Sequence, residues 1–98
     1  MSEAGVKFDS GKARWTLLPW RELEEVVRVL MYGAAKYPSD DNWKRVDLAP
    51  VRYRDALVRH VLAYLQGERL DAETGRHHLA SAVCNCLFLM WFDNEDRS

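Results

Sequence analysis

Covalent bracing is scarce in this chain of 98 residues: its two cysteines, Cys84 and Cys86, stand one residue apart in an apolar run. Helical side chains at that spacing point in different directions, which argues against a disulfide framework. The thiols read as buried small hydrophobes suited to a reducing compartment, with half of a shared metal site as the alternative. Long hydrophobic runs are also missing. The longest, residues 86–92, is far too short to span a bilayer, and Ser2, Glu3, Ala4 and Gly5 lead into no apolar stretch of the kind a signal peptide needs. A cytoplasmic protein without membrane contact is expected. Nor is there an excess of one charge: 14 basic and 15 acidic side chains give a formal net charge of −1, leaving no overall positive field to hold a nucleic acid. No repeat, low-complexity segment or alternating strand pattern is present, which removes solenoids and β-rich folds from consideration.

What is present is a globular composition. With 48% hydrophobic and 30% charged residues the chain carries enough apolar surface to fold, as a single domain over residues 1–98 near the lower size limit for a self-sufficient core. Residues 1–16 hold Gly5, Gly11 and several charges without a sustained period and read as an N-terminal arm. Over residues 19–37, Leu23, Val26, Val27, Leu30 and Ala34 recur at helical spacing, with Pro19 in a first turn and Glu22, Glu24 and Glu25 where the helix dipole favours acids. Pro38, Ser39, Asp40, Asp41 and Asn42 break that helix, and a loop containing Trp43 follows. Pro50 opens a second helix with Tyr53, Leu57, Val61, Tyr64 and Leu65 on one face, stopped by Gly67. After a polar connector over residues 68–75, a third helix begins near Thr74, a candidate N-cap, and runs to about Phe92 with Leu79, Val83, Leu87 and Met90 on its main apolar face. Residues 93–98 form a polar tail that should fray. The fold class is therefore all-α: a three-helix unit, thin enough to be expected to pair into a helical-bundle dimer.

Three groups of residues could carry chemistry. His60 falls on the Tyr53, Leu57, Tyr64 side of helix two, while His78 and Asn85 return to one stripe of helix three around Ala82. The connector supplies Glu68, Asp71 and Glu73, hard oxygen ligands of the kind magnesium or manganese prefers, beside a helix N-terminus that offers N–H groups to phosphate. A short connector requires the two helices to pack antiparallel, so that His60, Glu68, Asp71 and His78 can face one space. Glu22 and Glu25, neighbours on helix one, are an alternative ion site, although favourable first-turn charge explains them as well. Lys7, Lys12, Lys36 and Arg59 are candidate phosphate contacts, and Trp43 or Phe8 could stack on a base.

Taken in order, Lys7-Phe8-Asp9-Ser10-Gly11-Lys12, Leu18-Pro19, Gly33-Ala34-Ala35-Lys36-Tyr37 and Asn42-Trp43 resemble the opening half of the phage dATP/dGTP diphosphohydrolases. Leu57-Val58-Arg59-His60, Gly67-Glu68, Asp71-Ala72-Glu73-Thr74-Gly75 and His78-Leu79-Ala80-Ser81-Ala82 with Asn85 resemble its helix–connector–helix segment. The resemblance implies a relative of the MazG-like all-α nucleotide pyrophosphohydrolases. It further implies Mg2+- or Mn2+-dependent conversion of dATP or dGTP to the monophosphate and pyrophosphate, in the host cytoplasm, by a homodimer or homotetramer. In that superfamily an EExxE helix and a following ExxD helix hold magnesium, whereas here the corresponding positions carry Arg59-His60 and His78 with Ser81. The implied ligands are His60, Glu68, Asp71 and His78, or else Glu22 and Glu25. Glu68, Asp71 and His78 are the implied catalytic groups, and Lys7, Lys12, Lys36, Asn42, Trp43, Arg59 and Asn85 the substrate contacts. A non-catalytic helical module that binds a host partner or a nucleotide, through aromatics such as Trp15, Trp20 and Trp91, is the competing expectation.

Overall fold

The computed structural model describes residues 4–96, so the expectations for residues 1–3 and 97–98 lie outside the described part. It is an all-α, three-helix structure: α1 spans Trp20–Lys36, α2 Ala49–Leu65 and α3 His78–Asp96. Short 3-10 turns at Trp15–Leu17 and Asn42–Arg45 precede α1 and α2. Helix α1 starts behind Pro19, with Glu22 in its first turn and Lys36 in its last, both signs matching the helix dipole. It stops at Tyr37, which is extended, as the residue before a proline tends to be. Helix α2 opens one residue earlier than Pro50, at the buried Ala49. No helix among the described residues is long and apolar enough to cross a membrane.

Ring contacts from Tyr53 to Phe88 and Phe92, together with the approach of His60 to His78, set the start of α2 against the end of α3. The two helices are therefore antiparallel. Helix α1 covers a second side of α3, where Val26 packs with Ala80 and Cys84, and the Cys84 thiol donates to the Val26 carbonyl at 3.5 Å. The buried stripe of α3 is made of small or polar residues: His78, Ala80, Ser81, Ala82, Cys84 and Asn85. This corrects the face expected from periodicity, because Val83, Leu87 and Met90 are exposed. Helix α3 is apolar nearly all round, so hydrophobicity does not select a side; the small residues do, by letting two helices approach its backbone.

Two further expectations change. Helix α3 begins at His78, where the His77 ring Nδ1 accepts the Leu79 N–H at 3.0 Å. Thr74 instead accepts the Arg76 N–H within the connector. Residues 93–96 also continue the helix rather than forming a tail. Both cysteines are free, but only Cys84 is buried, and burial pushes its thiol up to about 12. At pH 8 such a thiol is thiolate in roughly one part in ten thousand. Cys84 is therefore expected to resist iodoacetamide in the folded protein and to react fully after denaturation, as read by peptide mass spectrometry; equal labelling in both states would contradict its placement.

Candidate metal centre and cleft

The connector is an ordered hairpin. Helix α2 closes with Gly67 N–H donating to the Tyr64 carbonyl and Glu68 N–H to that of Ala63, the paired bonds of a Schellman motif, with Gly67 at φ 98°. Leu70 and His77 form an isolated antiparallel bridge. Between them the chain turns on a 2.7 Å Gly75 N–H bond to the Asp71 carbonyl, with Gly75 at φ 72°. Both glycines stand where a Cβ would be strained. The Asp71 carboxylate accepts the Glu73 N–H at 3.1 Å, which fixes its side chain over the turn.

That turn delivers Asp71 to the two histidines. His60, Asp71 and His78 each present a ligating atom, all within 4.8 Å of one another. The Nδ1 atoms of His60 and His78 are 2.9 Å apart, so one must carry a proton and the other a lone pair. On the far side of its ring, the buried His78 Nε2 lies 3.2 Å from the Glu68 carboxylate, although the contact is not aligned as a hydrogen bond. A proton on Nε2 would face that carboxylate and leave the His78 Nδ1 lone pair toward the cluster, the tautomer that ligation through Nδ1 requires. Burial pulls the His60 imidazole below its ordinary value, against the opposing pull of Asp71. A neutral ring is what ligation requires.

Helix α1 holds the connector from outside. Lys36 Nζ contacts Glu73 at 2.7 Å, Tyr32 Oη reaches the same oxygen at 3.5 Å, and Arg76 pairs with Glu25 at 2.9 Å. The hydrogen bond from Lys36 lowers the Glu73 carboxyl below its usual range and raises the lysine. Arg76 and Tyr32 have no periodic signal in the sequence; their partners lie 51 and 41 residues away.

From the cluster a cleft of about 670 Å3 runs between α1, the Asn42–Arg45 turn, α2 and α3. Its far wall is aromatic: Trp43 stacks on Phe88 at 4.5 Å and meets Trp91 edge-on at 5.2 Å. Tyr53 donates to the Trp43 carbonyl at 2.9 Å, tying the turn to α2. His78 and Phe88, ten residues apart on α3, separate the two ends by roughly 15 Å along the helix axis. Lys36, Asn42, Trp43, Arg59, Asn85, His60 and Asp71 all line this space or its cluster end. The buried Asn85 donates to the Ser81 carbonyl at 2.9 Å, leaving its own oxygen for another donor. Glu68 does not line the cleft and stands behind His78. Lys7 and Lys12 lie in the arm, away from it. Glu22 and Glu25 border a separate apolar groove at the start of α1, taken up by Arg21 and Arg76 respectively.

Fold and site together define an all-α protein with a candidate His–Asp metal centre at one end of a cleft of about 670 Å3. The chain belongs to the dATP/dGTP diphosphohydrolase family, whose N-terminal region matches residues 2–98. It is 42% identical over 90 residues to a protein named dATP/dGTP diphosphohydrolase from Salmonella phage PMBT28. That match covers 92% of this chain but only 30% of the phage protein, so the chain spans less than a third of its relative's length. No solved structure matches the chain.

Proposed function

We propose that this chain carries the site for metal-dependent hydrolysis of a purine deoxynucleoside triphosphate to the monophosphate and pyrophosphate. The convergence of His60, Asp71 and His78 at the end of a cleft that closes on an aromatic wall carries this reading, and the family membership supports it. Two imidazoles and one carboxylate form a donor set that suits Mn2+ better than Mg2+, which favours oxygen alone. A divalent ion held there would neutralise phosphate charge and lower the pKa of a bound water. The chain's own groups do the rest. Glu68 fixes the His78 ring, Asp71 accepts the water's proton, and Arg59 and Lys36 bind phosphate oxygens, Lys36 by exchanging Glu73 for the substrate. The water oxygen forms its bond to the α-phosphorus as the bond from that phosphorus to the bridging oxygen breaks, and the electron pair leaves with pyrophosphate. Asn42 and the free oxygen of Asn85 supply edge hydrogen bonds to a purine, while Trp43, one face already on Phe88, shapes the wall. The exposed Val83, Leu87 and Met90 side chains support pairing of copies into a MazG-like bundle.

Incubation with Mn2+ or Mg2+ and each of the four dNTPs, followed by 31P NMR, tests the activity. Pyrophosphate and the monophosphate are expected from dATP or dGTP, faster with Mn2+, and not from the pyrimidines. No turnover of any dNTP, or orthophosphate as the first product, would overturn the assignment.

A further inference from the structure

The arm and the turn that leads from it into α1, residues 4–19, are exposed at every position. The arm has its own turn, closed by Lys12 N–H donating to the Asp9 carbonyl at 3.0 Å, with Gly11 at φ 83°. It also carries apolar side chains that a soluble chain does not leave in water: Phe8 is 87% exposed, Trp15 69% and Leu17 68%. No side-chain hydrogen bond or ion pair joins it to the helices among the described residues, and none of its residues lines the cleft.

The dimensions of the whole molecule point the same way. Its accessible surface is 8016 Å2, where a compact monomer of this mass would show roughly 5,800 Å2. Its radius of gyration is 17.7 Å against about 13 Å for a compact domain of this length. The surplus, on the order of 2,000 Å2, is what one subunit of an obligate dimer covers. Charge identifies the place it goes. The arm bears Lys7, Lys12 and Arg14 against Asp9 alone. The cleft is lined by four carboxylates against three cations, and with the Lys36–Glu73 pair set aside the excess is still one carboxylate. A triphosphate adds further negative charge to a space that already has one carboxylate in excess. Residues 4–19 would reach roughly 50 Å at full extension, and somewhat less with the Asp9–Lys12 turn and the Trp15–Leu17 helix kept, a span on the scale of a neighbouring subunit.

We infer that the arm of one copy seats in the cleft of a second copy, placing its Asp9–Lys12 turn near the partner's His60, Asp71 and His78. Lys7 and Lys12 then contact the phosphates of a nucleotide held otherwise by the other subunit, and Phe8 enters the apolar end. The catalytic part of this inference rests on the hydrolase reading; the exchange of arms does not.

Two experiments on the full chain separate these. Phe8 is replaced by p-benzoylphenylalanine, 14N- and 15N-labelled chains are mixed and irradiated, and the cross-linked peptides are mapped. Mixed-isotope links from position 8 to peptides containing Trp43 or Asp71 are expected. Links confined to one isotope, links only to surfaces outside the cleft, or a monomer by sedimentation at micromolar concentration would overturn the exchange. In the second experiment, Lys12→Ala and His78→Ala chains, each nearly inactive, are mixed and allowed to exchange subunits. About a quarter of the sites should then combine an intact arm with an intact centre, restoring about a quarter of the wild-type rate. Activity no higher than the two variants alone would show that the arm acts within its own chain. If the wild type hydrolyses no dNTP, the hydrolase reading falls, and the cross-link map still decides the exchange.

Discussion

His78→Ala is expected to lower the rate of pyrophosphate release by about a hundredfold or more, because under the proposed function it removes a ligand and with it the charge that the transition state needs. His78 is buried against α2, with its two ring nitrogens directed at different partners, His60 on one side and Glu68 on the other. Loss of the ring therefore opens the cluster and frees the carboxylate behind it. Truncation of a buried side chain also costs stability, so the decisive comparison is with Glu68→Gln. That variant keeps the cluster and the exposed side-chain position but removes the negative charge 3.2 Å from the His78 Nε2, a change of about tenfold to a hundredfold in metal affinity by analogy with other outer carboxylates. A steady-state rate against Mn2+ concentration, with the helical circular dichroism signal as a control, distinguishes the two. His78→Ala should lose rate at saturating metal, whereas Glu68→Gln should need more metal to reach it. Full activity in both would remove the centre assigned here.

Trp43→Ala is expected to carry the largest stability cost. The indole is stacked on Phe88 and meets Trp91 and Phe92 edge-on, and Lys44 lies over two of these rings. Deleting it should cost about 3 kcal/mol through lost area and the cavity left behind, which for a domain of this size lowers the melting temperature by roughly 15 °C. Arg54→Ala, on the exposed side of α2, should change it by less than about 0.5 kcal/mol. Calorimetry at one fixed protein concentration is required, since pairing of copies, as proposed above, would shift apparent stability. Equal melting temperatures for the two variants would mean that the aromatic wall is not part of the folded core.

The sequence foretells α1 and α2 to within a residue or two, because both have one apolar face and clear stops at Pro38 and Gly67. It also foretells that His60 and His78 should meet, since a short connector between two long helices permits only a hairpin. What it hides has physical reasons. The buried side of α3 is set by Ala80, Ala82 and Cys84, small residues that weigh little in any hydrophobic pattern but permit close backbone approach. Its start is hidden because a histidine, rather than a threonine three residues earlier, caps it. Glu68 appears in the sequence as an equal of Asp71. Only the Schellman bend and the Gly75 turn separate them, sending one behind the His78 ring and the other in front.

The narrow stripe on α3 has one more consequence. Where bulky side chains fill a core, the distance between helices averages over many contacts; here Ala80, Ala82 and Cys84 act as the spacers, and the separation of the helices depends on a few methyl-sized groups. The seat of α1 on α3 is thus set from outside the cluster, through Ala80 and Cys84 against Val26. A single added methylene there would shift α1, and with it the Lys36–Glu73 and Arg76–Glu25 contacts that hold the connector, without altering any atom of the cluster.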